Sequence, residues 1–97
     1  MKKSSHTFED GRAFQFGKFT MGLLRDLKDA EEAGDKHAYG EEMVRATVAA
    51  CARATPGLVR RQLEDQLDAD EIGELFAAIL TFTRSGEAST QGEAVGA

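Results

Sequence analysis

The sequence lacks the features that secreted and membrane-spanning proteins need. Its 97 residues include one cysteine, Cys51, so no disulfide can form within the chain, which suits a reducing compartment. Its purely apolar runs are only a few residues long, whereas a transmembrane helix takes about 20. No apolar stretch follows the initial Met1-Lys2-Lys3, so the sequence predicts no signal peptide. We therefore expect a cytoplasmic protein with no membrane partner.

The chain also has fewer basic than acidic residues. The 12 Lys and Arg face 17 Asp and Glu, for a formal net charge of −5, which argues against a nucleic-acid-binding surface. Hydrophobic residues make up 41% and charged residues 30%, a balance typical of a folded globular chain. A length of 97 residues predicts a single domain with a small core.

The strongest pattern in the chain is a helix over 68–84. Asp68 is a good N-cap, and Glu71 three residues later can reach back to it as in a capping box. The apolar residues repeat at the spacing of a helix that buries one stripe. They are Ile72, Leu75, Phe76, Ile79 and Leu80.

The N-terminal region predicts a β-hairpin. Asp10-Gly11 stands between Phe8 and the alternating pair Phe14 and Phe16, a pattern that indicates two strands joined by a two-residue turn. A lone hairpin is marginally stable in water, so we expect helices or another subunit to cover its aromatic face.

Three further helices are predicted between the hairpin and residue 68. They cover about 20–33 with Thr20 as N-cap, 39–54, and 59–66, and 34–37 is read as a polar loop. The residues expected to be buried are Leu23, Leu24, Leu27, Met43, Val44, Thr47, Val48, Cys51, Val59 and Leu63. The predicted fold class is mainly α: a small helical domain of three to four helices with a short N-terminal β-hairpin. The domain spans 6–85, between disordered ends at 1–5 and 86–97.

The residues that could carry chemistry have simpler structural explanations. The acids of 68–73 resemble half a calcium loop, but Ile72 and Ile79 stand where oxygen ligands are needed. Cys51, His6 and His37 lack the spacing of metal ligands, and Cys51 falls on an apolar stripe. The acid clusters at 41–42, 64–65 and 70–74 fall on predicted wet faces or helix starts. We predict no catalytic, metal or cofactor site and no enzyme activity.

One feature of the last helix suggests a binding surface. Leu80 and Phe82 lie on opposite edges of its apolar stripe, which makes the apolar arc wide. A small domain with such an arc often completes its core by association. Leu80 and Phe82 are therefore the candidate partner-binding residues, and self-association stays open. Packing of both residues within the monomer is the alternative.

The order of these motifs resembles that of a known protein family. A threonine-led first helix opens with FTMGLLRD at 19–26, and an Ala-rich second helix runs into PGL at 56–58. QLEDQLDAD at 62–70 then leads into a helix that closes in an aromatic residue, Phe82. Over 7–83 this layout resembles the small tail assembly chaperones of tailed bacteriophages and prophages. The chain departs from the pattern at Val59 and Arg60, where a capping Ser or Thr is usual.

The resemblance implies a non-enzymatic role in phage tail assembly. Such a chaperone holds the tape-measure protein soluble while subunits of the tail tube protein assemble around it, and it is absent from the mature virion. Some members of the family are also made as a frameshifted longer form. Two alternatives remain: a phage structural protein such as a head–tail connector subunit, and a small helical regulatory module that binds DNA.

Overall fold

The chain folds into four helices preceded by one β-hairpin, which confirms the predicted fold class. The computed structural model describes the backbone of residues 4–96 and the side chains of residues 4–84. The elements in chain order are β1 (Ser4–Thr7), β2 (Ala13–Phe16), α1 (Met21–Ala33), α2 (Lys36–Ala54), α3 (Arg60–Gln66) and α4 (Ala69–Gly96). The segment 86–97, predicted to be disordered, lies outside the residues whose side chains are described.

The hairpin forms at the predicted place but with a longer loop. β1 and β2 are antiparallel, with Thr7 opposite Ala13. Beyond that pair, the Phe8 N–H donates to the Arg12 carbonyl (2.8 Å), so three residues rather than two make the turn. Gly11, the last of them, has a φ of 97°, which suits the left-handed position that closes a three-residue loop. The Asp-Gly pair therefore predicted the hairpin correctly and its loop length wrongly.

Side-chain caps set where α1 and α2 begin. Thr20 accepts the Leu23 N–H (3.2 Å) at the start of α1, as predicted. The predicted polar loop before α2 is shorter than expected, because Asp35 accepts the backbone N–H groups of His37 and Ala38 (3.0 and 3.1 Å). These bonds let α2 start at Lys36, three residues earlier than the apolar pattern indicates.

Two capping interactions also define α3 and α4. The Gln62 side chain accepts the Val59 N–H (3.0 Å), and Val59 itself is 53% exposed rather than buried. At α4 the predicted capping box is present in both directions. Asp68 accepts the Glu71 N–H (2.8 Å), and Glu71 accepts the Asp68 N–H (3.0 Å).

Helix α2 lies at the centre of the fold and contacts α1, α3, α4 and β2. Its most buried residues include Ala46 and Ala50, whereas Met43 and Val48, predicted to form the buried stripe, are half-buried. The small side chains let β2 approach, and the Gly17 N–H donates to the Ala50 carbonyl (2.9 Å). The core is completed by Phe8, Phe16, Phe19, Leu23, Leu27, Cys51, Leu63, Leu67, Ile72, Leu75, Phe76 and Ile79.

Candidate functional site

Phe82 lies on the side of α4 that faces the hairpin. Its ring is half-buried and meets the buried ring of Phe16 at a centroid distance of 5.9 Å and an angle of 61°. The Lys18 ammonium lies 5.9 Å from the Phe82 centroid. The ring therefore packs on the core through Phe16 and has a cation as its second neighbour.

Leu80 lies on the other edge of α4. It is half-buried and packs against the core, like Phe82. Two residues of separation on a helix correspond to a rotation of about 200°, so the two side chains point to different sides. The structure thus does not bring the two predicted residues into one continuous surface. Whether either binds a partner stays a prediction.

Thr83, which the sequence pattern did not single out, anchors α4 beside Phe82. Its side chain is 2% exposed and accepts the Phe19 N–H at 3.0 Å. The same hydroxyl donates to the Ile79 carbonyl at 2.8 Å. The bond joins the entry of α1 to the fourth turn of α4, next to Phe82.

Lys18, Arg53 and Phe82 come together where β2 ends, and we call these three residues the basic–aromatic patch. Gly17 brings them together through its contact with α2. A Cβ at Gly17 would lie 3.1 Å from both the Cβ and the Nε of Arg53, so the Arg53 side chain runs along the Gly17 backbone. Lys18 follows Gly17 directly and reaches Phe82. Among the described residues, neither Lys18 nor Arg53 forms an ion pair.

A second surface feature is an open cleft of about 340 Å³ at the hairpin loop. It is lined by Phe8, Glu9, Asp10, Arg12, Glu71 and Glu74. The Arg12 guanidinium donates to Asp10 (2.7 Å), to the Glu71 carboxylate and to the Gln66 carbonyl, and it also lies over the Phe8 ring. The hydrogen bond to Glu71 raises the pKa of Arg12, and the backbone N–H of Arg12 lowers the pKa of Asp10. Arg12 thereby attaches the loop to the α3–α4 junction.

Two other arginines join helix to helix. Arg45 of α2 donates to Asp26 of α1 (2.8 Å) and to Glu42 (2.6 Å). Arg60 of α3 donates to Glu41 of α2 (2.8 Å) and to Glu64 (2.9 Å). The hydrogen bond from Arg60 lowers the pKa of Glu41. Glu41, Glu42 and Glu64 are thus partners in surface ion pairs, and each pair is exposed enough to add little stability.

Cys51 and the two histidines do not converge. Cys51 is 1% exposed within the core, and burial raises the pKa of its thiol to about 11. His6 Nε2 lies 2.5 Å from Glu74 Oε2 on α4, and His37 is exposed in the first turn of α2. Within the described part of the chain, no group of three or more His, Cys, Asp or Glu side chains is arranged to hold a metal ion.

Comparisons with protein-family models, with curated proteins and with solved structures find no match. The helices of the described residues include none with the length and hydropathy needed to cross a membrane.

Proposed function

We propose that the chain is a tail assembly chaperone of a phage or prophage that binds the tape-measure protein in the host cytoplasm. One observation supports this proposal most: the order of the elements. A hairpin, two long helices, a short helix led into by Pro56-Gly57-Leu58, and a last helix capped by Asp68 follow one another as the resemblance implies. In this role the chain binds protein, catalyses no reaction and is absent from the finished particle.

The two edges of α4 suit the binding step. The resemblance implies a long, largely helical client that is poorly soluble alone, so its chaperone needs apolar side chains that are tolerated in water and become covered in the complex. Half-buried residues meet this need, because they keep contact area for a partner while their inner sides pack on the core. Phe82 and Leu80 have this character. A buried aromatic anchor at an interface can contribute about 2 kcal/mol or more.

Co-expression with the tape-measure protein from the same gene cluster tests the proposal. We expect the tagged wild type to co-purify with the tape-measure protein and Phe82→Ala to lose at least about tenfold in capture, which is ~1.4 kcal/mol. Leu80→Ala tests the opposite edge of α4. Because Phe82 packs on Phe16, its removal also costs about 1–2 kcal/mol of folding stability.

Tyr39→Ala is the matched control for that loss of stability. Tyr39 is a half-buried aromatic residue packed on the same core, and it lies fourteen residues before Arg53 on α2, about 21 Å along the helix. Capture is compared well below the melting temperature of both variants. If Tyr39→Ala and Phe82→Ala lose capture equally, the loss reflects stability and Phe82 is not in the site. Recovery of the chain from purified particles by mass spectrometry would contradict the chaperone proposal and indicate a structural role.

A further inference from the structure

We infer that the basic–aromatic patch of Lys18, Arg53 and Phe82 binds an acidic amphipathic helix of the partner. A large apolar side chain of that helix packs beside the Phe82 ring, and carboxylates on its flanks pair with Lys18 and Arg53. This inference rests on the proposed function for the view that the partner is a helical protein. It adds what the resemblance does not supply, namely the charge of the partner segment and the cations that recognise it.

The three residues of the patch lie on backbone that is attached to the core. Gly17 is fixed by its hydrogen bond to Ala50 on α2, and this bond sets the position of Lys18. Arg53 lies against the Gly17 backbone, one turn further along α2. The Phe82 ring packs on Phe16, and the neighbouring buried Thr83 accepts a hydrogen bond from the Phe19 N–H. The backbone that carries the patch is therefore in place before a partner binds, and binding orders only the Lys18 and Arg53 side chains.

Charge complementarity indicates an acidic occupant. The chain has an excess of acids, and Arg12, Arg45 and Arg60 each contact two carboxylates. Among the described residues, Lys18 and Arg53 contact none, and both lie next to Gly17: Lys18 follows it in the chain, and Arg53 lies against its backbone. Within residues 4–84 these two cations have no carboxylate partner, and a pair of carboxylates on the partner helix would supply one for each.

A protein segment fits this surface better than a nucleic acid does. A base would need an open ring face for stacking, but the Phe82 ring already contacts Phe16 and has the Lys18 ammonium over it. The net charge of −5 also disfavours the binding of a polyphosphate chain. In physiological salt this repulsion acts over distances of up to about 8 Å. An aliphatic side chain needs only the edge of the ring, and two carboxylates match two cations.

Two synthetic peptides test the inference without the tape-measure protein. Both have about 18 residues, roughly five helical turns, with leucine at i, i+3, i+4 and i+7. One carries glutamate on both flanks of the leucine stripe, and its twin carries lysine. In ¹⁵N-labelled wild-type protein we expect the glutamate peptide to shift the amides of Gly17, Lys18, Arg53 and Phe82, and to bind about tenfold more tightly than the lysine twin. Added salt should reduce this preference.

Charge reversal gives the decisive comparison. Lys18→Glu/Arg53→Glu should invert the peptide preference, whereas Lys36→Glu/Arg61→Glu, with the same change in net charge at two exposed helix starts, should keep it. Equal binding of the twins to wild type, shifts located elsewhere, or a preference that survives the first double substitution would overturn the inference. Shifts caused by a single-stranded oligonucleotide but by neither peptide would also overturn it and indicate a nucleic-acid site.

Capture of the tape-measure protein tests the proposed function independently of the peptide experiment. If the wild type captures the tape-measure protein and Lys18→Glu/Arg53→Glu captures it equally well, the chaperone proposal stands and the patch is not its site. If the wild type captures nothing, the chaperone proposal fails, whatever the peptides show.

Discussion

Replacing Thr83 by valine removes one hydroxyl from the interior and changes little else in shape. That hydroxyl accepts the Phe19 N–H and donates to the Ile79 carbonyl, and the Thr83 side chain is 2% exposed. Valine fills the same volume but cannot accept a hydrogen bond. The Ile79 carbonyl can still take part in the α4 ladder, whereas the Phe19 N–H is left buried without a partner.

The expected cost follows from that unpaired N–H. A buried donor without an acceptor costs about 1–3 kcal/mol. In a domain of this size each kcal/mol lowers the melting temperature by about 4–8 °C, so Thr83→Val should melt roughly 4–24 °C below the wild type. Thr83→Ser keeps the hydroxyl and loses one methyl group, for about 0.8 kcal/mol. Valine should therefore be the more damaging substitution, although it is the more hydrophobic one.

Urea unfolding followed by circular dichroism measures the free energy of unfolding of all three proteins. Hydrogen exchange of the Phe19 amide adds a local measurement, and exchange at Phe19 should accelerate more in Thr83→Val than in Thr83→Ser. The reasoning is refuted if valine is as stable as threonine, or if serine is the less stable of the two variants. Either result would mean that the Phe19 N–H has another acceptor and that apolar contact dominates at this position.

The remaining predictions concern the core and the chain end. Ile79→Asp buries a carboxylate at a fully buried position and should unfold the domain, whereas Ala77→Asp, on the exposed side of α4, should melt near the wild type. Cys51 should resist a disulfide reagent at pH 8 until urea is added. Burial raises its pKa from 9.0 to about 11, so the free energy of unfolding should fall as the pH rises between these values. Deleting 86–97 should shift the melting temperature by only about a degree or two; a large loss would show that this segment docks.

Local signals in the sequence predicted most of the elements. The buried stripe of α4, the Asp68–Glu71 capping box and the Thr20 cap depend on residues within one or two turns of each other, so their spacing alone identifies them. The start of α2 was missed because the cap at Asp35 precedes three residues, 36–38, that carry no large apolar side chain.

Contacts between distant residues could not be predicted in the same way. In the sequence, nothing distinguishes Thr83 from other polar residues, because its hydrogen-bond partner Phe19 lies sixty-four positions earlier. Gly17 reads as a strand terminator, and its approach to Ala50 and Arg53 depends on how β2 packs on α2. The basic–aromatic patch therefore could not be identified from the sequence alone. The sequence did indicate Phe82 as an edge residue, but its contact with Phe16 was not predicted.

The solubility of the tape-measure protein tests the central claim most directly. The tape-measure protein of the same gene cluster is expressed alone, with this chain, and with the unfolded variant Ile79→Asp, and its soluble fraction is measured after centrifugation. The account predicts a mostly insoluble tape-measure protein in the first and third cases and a soluble complex that contains both proteins in the second. A tape-measure protein that is equally soluble with and without this chain, and that does not co-purify with it, would contradict the account.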